Sequence, residues 1–289
     1  MKIGLIYNKN AGGKRREELE KIVDCFETHN TYQIYAALDK FKLSEKDILG
    51  VYGGDGTLQH TITRCFEYYK EKIPNILFIK GGTINSVADD LRLDGNAERA
   101  ISLIKRNKYR VHHKPIMRID SERGAEYGFI YGSGLIYEFI HDYCKGNLRG
   151  APKVFALTGM MLTNIPYLSN MLKEVDAEVH VSNGPTFNRH NVMIISTVKN
   201  MGFGFKMMPH AGDHGKAQLR GGMLNEGDFF NNIVNAYTNS IRGIHSRLVD
   251  YVKIKPKKTL NYVLDGELKA ANHELNISLR QIKFIIPGS

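Results

Sequence analysis

Residues 48–59 read I-L-G-V-Y-G-G-D-G-T-L-Q, and no other stretch constrains the chain as much. Ile48, Leu49, Val51 and Tyr52 form the apolar, partly β-branched run of a buried strand. Gly53, Gly54 and Gly56 then admit backbone angles that a side chain would forbid. Leu58, Ile62, Cys65, Phe66 and Tyr69 recur at helical spacing beyond them. Gly53, Gly54, Asp55, Gly56 and Thr57 therefore lie between the carboxyl end of a strand and the amino end of a helix. Backbone N–H groups and the helix dipole converge there and favour an anion. Asp55 is the odd member, because a carboxylate beside a phosphate is useful when it holds a metal, accepts a proton or orients a neighbour. The plain alternative is a tight βα turn with Asp55 as helix cap.

The same arrangement recurs. Lys2 to Tyr7 reads as a strand, Asn8 to Gly13 as a glycine-bearing loop, and Leu19, Ile22, Val23 and Phe26 as one face of a helix. Tyr32 to Leu38 reads as a strand, and so does Asn75 to Lys80, which runs into Gly81, Gly82, Thr83, Ile84, Asn85 and Ser86. In a parallel sheet such loops emerge on one edge, so three of them can line one nucleotide cleft. A helix over residues 96–107, with Ala100, Ile101, Leu103 and Ile104 inward, closes this unit near Arg110. From Lys114 onward, short apolar runs at turn-punctuated spacing predict a largely antiparallel β domain. Helical inserts are expected near residues 134–143, 154–172 and 229–240.

A chain of 289 residues suits two domains of ordinary size, and 42% apolar residues supply their cores. The net charge of +10 and the pI near 9.3 predict attraction to nucleic acid, a nucleotide or an acidic lipid surface. Cys25, Cys65 and Cys144 are scattered and outside any metal spacing, with Cys25 and Cys65 on expected helices. They read as reduced cytosolic thiols. The first apolar run is too short for a signal peptide, and the polar residues within 154–172 argue against a membrane span. Nucleic-acid binding rests on charge alone and is not expected, for no recognised module accompanies it.

Asn8 to Gly12, Gly53 to Thr57, and Gly82, Thr83 and Asn85 are followed by Pro209 and Ala211 and by Asp265, Gly266 and Glu267. In this order and spacing the chain resembles the diacylglycerol kinase catalytic-domain family, which is related to sphingosine and ceramide kinases and, more distantly, to NAD kinases. The resemblance covers nearly the whole length. It implies an α/β fold: an N-terminal Rossmann-like three-layer nucleotide domain over residues 1–112, and a mostly antiparallel β-sandwich over 113–289 whose C-terminal end can pack back on the first. It also implies ATP and Mg²⁺ as cofactors. Asn8, Ala11, Gly12, Gly53, Gly54, Gly56, Thr57, Gly82, Thr83 and Asn85 would bind the nucleotide. Asp55, Asp265 and Glu267 would be catalytic, with Glu267 as the base and Asp55 meeting the metal through Mg-ATP. The residues themselves allow this chemistry, because phosphoryl transfer needs phosphates cradled, charge neutralised and a hydroxyl oriented. Leu260 to Leu264 reads as a strand, so Asp265 and Glu267 lie at its end, either in that role or in a solvent-exposed hairpin turn.

The chain departs from the family at Lys9 and Lys80 in place of Pro, Ser86 in place of Asp, and Ile136 in place of an acid. Around His214, Gly215, Lys216 and Gln218 two acids are lost, Asp213 alone stays nearby, and a structural Mg²⁺ is not expected there. Lys80 either meets phosphate or points to water. The basic runs Lys105 to Lys114 and Lys253 to Lys258 either hold an anionic membrane or shield an edge strand. The segment 154–172, rich in Met and Leu, is an interfacial helix, an acyl-chain cleft or a core helix. The expected activity is transfer of the γ-phosphate of ATP to diacylglycerol or a related lipid, by a cytoplasmic enzyme peripheral to the inner membrane face. A homodimer is left open. An NAD kinase and a catalytically degenerate nucleotide or lipid sensor are the alternatives.

Overall fold

The computed structural model describes residues 1–8, 24–28, 31–81, 85–93, 96–146, 148, 150–182, 184–201, 207–238 and 243–288. It divides into two compact units, Met1–Lys114 with Gln281–Ser289, and Pro115–Arg280. The division falls inside two long strands, β5 (Tyr109–Ser121) and β16 (Leu275–Pro287).

In the first unit β1 (Ile3–Asn8), β2 (Asp24–Thr28), β3 (Ile48–Gly53) and β4 (Asn75–Lys80) form a parallel sheet in the order β2-β1-β3-β4. The end of β16 joins beside β4, also parallel, with Phe284 opposite Ile76. Every residue of β3 is buried, as in a parallel strand covered on both faces. Alternation of side chains divides those faces. Leu5, Tyr7, Leu77 and Ile79 pack with Ala97, Ile101 and Ile104 of α4 (Ala97–Lys105). Gly4, pointing the other way, lies so near the Phe41 ring of α1 (Thr31–Phe41) that a Cβ would sit 2.6 Å from it. Two further helices, α2 (Asp55–Tyr69) and α3 (Ser86–Asp90), each open directly from a strand-end loop.

Two local expectations are corrected here. Tyr32 to Leu38 is helical, because Ile34, Ala37, Leu38 and Phe41 are buried at i, i+3, i+4 and i+7, a spacing that outweighs the local alternation. Phe26 and Cys25 belong to strand β2, whose pairing with β1 fixes them as extended chain. Leu19, Ile22 and Val23 lie outside the described residues.

The second unit is a β-sandwich. One antiparallel sheet has the order β12 (His245–Val249), β11 (Ala217–Gly222), β10 (Val192–Ser196), β7 (Ile130–Gly134), β14 (Leu260–Leu264), β15 (Glu267–Ala271). Opposite it lie β16, β13 (Tyr251–Pro256), β8 (Val175–Val181) and β9 (Phe187–His190), with the hairpin of β5 and β6 (Gly124–Gly128). Tyr131, Ile195, Leu219 and Tyr262 from the first sheet interdigitate with Met117, Val179, Val252 and Ile277 from the second. The short apolar runs of the last fifteen residues are continuous in one strand, β16.

The outer face of the six-stranded sheet carries α5 (Leu135–Cys144), α6 (Ala151–Thr163) and α7 (Ile165–Met171), and α8 (Glu226–Thr238) follows β11. Leu135, Met161, Leu168 and Met171 pack on Val192 and Leu224. The segment expected as one helix over 154–172 divides at Asn164, whose side chain accepts from the Tyr167 N–H, with Pro166 in the first turn of α7. Proline lacks the N–H that would continue the earlier helix, while its fixed φ suits a new first turn. Among the described residues no helix is long and apolar enough to cross a membrane.

Candidate active site

The order β2-β1-β3-β4 means that the chain leaves β1 toward one edge and returns on its other side at β3. Such a reversal opens a crevice at the carboxyl ends of the two strands, the usual ligand position in open parallel sheets. Asn8 ends β1 and Gly53 ends β3, with Gly54 to Thr57 directly after it, so the ends of both strands meet there. The contacts are direct. Asn8 Nδ2 donates to Thr57 Oγ1 at 3.1 Å. Gly81 N–H donates to the Gly53 carbonyl at 2.8 Å, tying the loop after β4 to the one after β3. Gly53 itself tolerates no side chain, because a Cβ would sit 2.7 Å from Thr57 Cβ. Gly54 caps α2 from an extended conformation, and Asp55, Gly56 and Thr57 form its first turn.

Asp55 turns from this turn toward the next helix. Its carboxylate accepts the Ser86 N–H at 2.7 Å and the Val87 N–H at 3.4 Å, the first amides of α3. Asn85 caps that helix and its carbonyl accepts the Asp89 N–H at 2.9 Å. Burial pushes the Asp55 carboxyl up to about 6 against these donors, and the charge of Asp89 adds to the rise. Asp89 in turn pairs with Lys80 Nζ at 2.5 Å. Lys80 thus meets a carboxylate at the end of β4. The group is a loop edge rich in donors, with one carboxylate poised near neutrality.

This donor set suits a magnesium ion carried by phosphates. Mg²⁺ commonly takes one or two carboxylates and fills its remaining positions with water and phosphate oxygen. The Asp55 carboxylate accepts the amides of Ser86 and Val87 and the Ser86 side chain, which leaves room for a further partner among its roughly four lone-pair sites. No cluster of three or more His, Cys, Asp or Glu placed to cage a metal occurs among the described residues.

In the second unit Asp265 and Gly266 are the two central residues of the β14–β15 hairpin, both with positive φ, 48° and 88°. Asp-Gly is the pair that such a turn selects, since both positions need left-handed backbone. The Asp265 carboxylate reaches back to accept the Phe129 N–H at 3.0 Å and the Ile130 N–H at 2.8 Å. Asp265 N–H donates to the Ile130 carbonyl at 2.9 Å. Asp265 therefore pins the junction of β6 and β7 to the hairpin. Glu267 opens β15, part-exposed, 3.4 Å from Lys269, which pairs more closely with Glu126 at 2.5 Å.

Residues 2–114 match the family model of the diacylglycerol kinase catalytic domain. This segment belongs to the diacylglycerol kinase catalytic-domain family. Among curated proteins no sequence matches the chain. Three solved structures from Bacillus anthracis str. Sterne, each designated a diacylglycerol kinase and two of them provisionally, share its fold. The first aligns over 99% of this chain and 95% of its own, with a TM-score of 0.76 and 18% identity. The second covers 99% and 96%, with a TM-score of 0.73 and 17% identity. The third covers the same shares, with a TM-score of 0.68 and 15% identity. At these identities the likeness concerns the fold, a parallel-sheet unit with a separate antiparallel one, over both units of this chain.

Within this kinase-family segment, Ala11, Gly12, Gly82 and Thr83 lie outside the described residues. Sequence reasoning passed over two acids at the end of α3. Asp89 couples Lys80 to Asp55, and Asp90 forms a buried pair with Lys114 at 2.6 Å. The signal was present as S-V-A-D-D directly after the third loop, a first-turn amide pair with acids one helical turn on. Near His214, where this chain lacks the two acids expected from the resemblance, Asp213 pairs with Lys199 at 2.8 Å and His210 at 3.3 Å. Gln218 accepts the His210 N–H at 2.9 Å and donates to Ser246.

Proposed function

We propose that the chain is an ATP-dependent lipid kinase that transfers the γ-phosphate to a hydroxyl of diacylglycerol or a related lipid. The observation that carries this reading is the edge where Asn8, Thr57, Gly53, Gly81, Asp55 and Ser86 are joined by hydrogen bonds at a strand-order reversal, inside a segment of the diacylglycerol kinase catalytic-domain family. Amides of the three strand-end loops and the amino end of α2 bind the phosphates. Asp55, whose carboxyl titrates near 6, is ionised at neutral pH and is the one acid of that edge suited to Mg²⁺ on the nucleotide. The metal supplies charge neutralisation on the phosphates. Asp265, engaged with two backbone amides, orients the hairpin. Glu267, held beside Lys269, accepts the lipid hydroxyl proton as that oxygen bonds to the γ-phosphorus and the bond to the ADP oxygen breaks. The acceptor lipid is met at the anionic inner surface of the membrane, to which the excess of cations attracts the chain.

The test is phosphate transfer from labelled ATP, with Mg²⁺, into a panel of lipids in mixed micelles, with NAD as a soluble control. A labelled lipid product that vanishes with Glu267→Gln is the expected result and identifies the acceptor. Labelled NAD, or ATP binding without any product, would overturn the reading.

A further inference from the structure

The second unit exposes an apolar helix face that no internal packing accounts for. Along α6, Val154, Leu157 and Met161 point inward and are buried, and Met161 and Leu168 join the cluster on Val192 and Leu224. A helix seated in this way ordinarily turns charged residues to water. This one turns out Phe155 at 69% exposure, Met160 at 46% and Leu162 at 41%, and α7 adds Ile165 at 58%. Leu148, just before α6, is 52% exposed. Five of the eleven exposed large hydrophobic residues among the described positions thus fall within 18 consecutive ones, so the patch is concentrated rather than scattered.

The segment that carries the patch contains cations and no acid of its own. From Lys145 to Lys173 the sequence contains Lys145, Arg149, Lys153 and Lys173 and no Asp or Glu, in a chain with 30 acids over 289 residues. Lys145 and Lys173 are exposed at the two ends. Acids lie only at its margin, where Asp142 of α5 pairs with Lys145 and Glu226 of α8 accepts from Ser169, and the protruding aromatic and aliphatic side chains, on a chain of net charge +10, complement a lipid surface with anionic head groups.

We propose that α6 and the start of α7 form the membrane-inserting face of this protein, with Phe155, Met160, Leu162 and Ile165 entering the head-group region of an anionic bilayer. The inference rests on the lipid-kinase reading for its purpose, but not for its test. Gly159 lies on the same face, and a Cβ built there meets nothing within 4 Å, so a side chain can be added without disturbing the fold.

The chain contains no Trp, so Phe155→Trp supplies a single fluorescent reporter. With vesicles of equal parts phosphatidylglycerol and phosphatidylcholine, and no nucleotide, its emission shifts to the blue and is quenched by brominated lipid. Tyr68→Trp, on α2 of the first unit, shows neither effect. Adding Gly159→Glu to the Phe155→Trp chain lowers the vesicle-bound fraction by about tenfold, because one carboxylate must then be drawn into the interface. An unshifted spectrum with vesicles, or a blue shift without lipid that grows with protein concentration and so reports a second copy of the chain, would overturn the proposal. Lipid phosphorylation in micelles by a chain that fails to insert would leave the kinase reading standing; insertion by a chain without turnover would do the reverse.

Discussion

Asp55 and Asp265 stand in different units and in different local structures, yet each spends its carboxylate on two consecutive backbone amides. Asp55 takes the amides of Ser86 and Val87, and Asp265 takes those of Phe129 and Ile130. At Asp55 the amides open a helix, burial opposes the charge, and the carboxyl sits near 6. At Asp265 they lie between two strands, and the acid is locked into a left-handed turn position. The difference teaches that an acid within a recognisable motif can be a scaffold group first. On the proposed kinase reading, Glu267 is then the second unit's candidate for chemistry, and Asp55 in the first would serve both purposes.

The largest effect that would break this division is at Glu267. Glu267→Gln is expected to lower the rate of lipid phosphorylation by at least about 100-fold while leaving the unfolding free energy within about 0.5 kcal/mol. Steady-state transfer and thermal melting on the same preparation check both halves. A loss of stability comparable with the loss of rate would place Glu267 in the scaffold as well.

Asp265→Ala should act the other way. It strips acceptors from two backbone amides and removes a carboxylate from between two strands, a cost of about 3 kcal/mol. Urea unfolding should show the midpoint falling, and Asp265→Asn, which retains one acceptor oxygen, should recover part of the loss. If Asp265→Ala melts like the parent and only turnover falls, Asp265 is a catalytic group and the comparison fails.

The two units also differ in how they meet acid. In the first, the proposed role of Asp55 at the nucleotide metal requires its ionised form, so the transfer rate should rise as pH passes upward through about 6. In the second, His190 is buried beside Ser133 at 2.8 Å, and burial holds its ring down to about 4 from an ordinary 6.5. The unfolded chain therefore binds a proton that the folded one refuses. The stability from this site is intact above pH 6.5 and is lost as pH falls toward 4. His190→Asn should flatten that part of the melting profile without moving the acid limb of the rate.

Much of this arrangement was legible in the sequence, and what escaped has a physical reason. The loop at Gly53 to Thr57 could be read because its requirements are local: a buried strand, glycines at a close approach, then a helix. The strand Leu260 to Leu264 and the Asp-Gly turn were legible for the same reason. The two meanings of the late motif could not be separated, because the partners of Asp265 lie more than 130 positions away in the chain. Tyr32 to Leu38 misled because alternation and helical spacing coincide over so short a window, and burial of Phe41 beyond it decides the matter. The break at Asn164 was visible as Pro166 and was outweighed by the apolar composition around it. The Lys80 to Asp89 link was hidden because each residue alone looks like a solvated charge.

That link gives the smallest and sharpest prediction. Asp89 raises the Asp55 carboxyl, and Lys80, 2.5 Å from Asp89, offsets part of its charge. Lys80→Ala should therefore leave Asp89 less compensated and move the acid limb of the rate upward by about 0.3 in pH, and Asp89→Asn should move it downward by a similar amount. Both shifts should shrink in high salt, because Lys80 and Asp89 are partly exposed. The double variant should lie near Asp89→Asn, since without the acid there is nothing for the lysine to offset. Limbs that stay fixed in all three variants would mean that the titrating group is not Asp55, and the contrast between a working acid in one unit and a structural acid in the other would have to be redrawn.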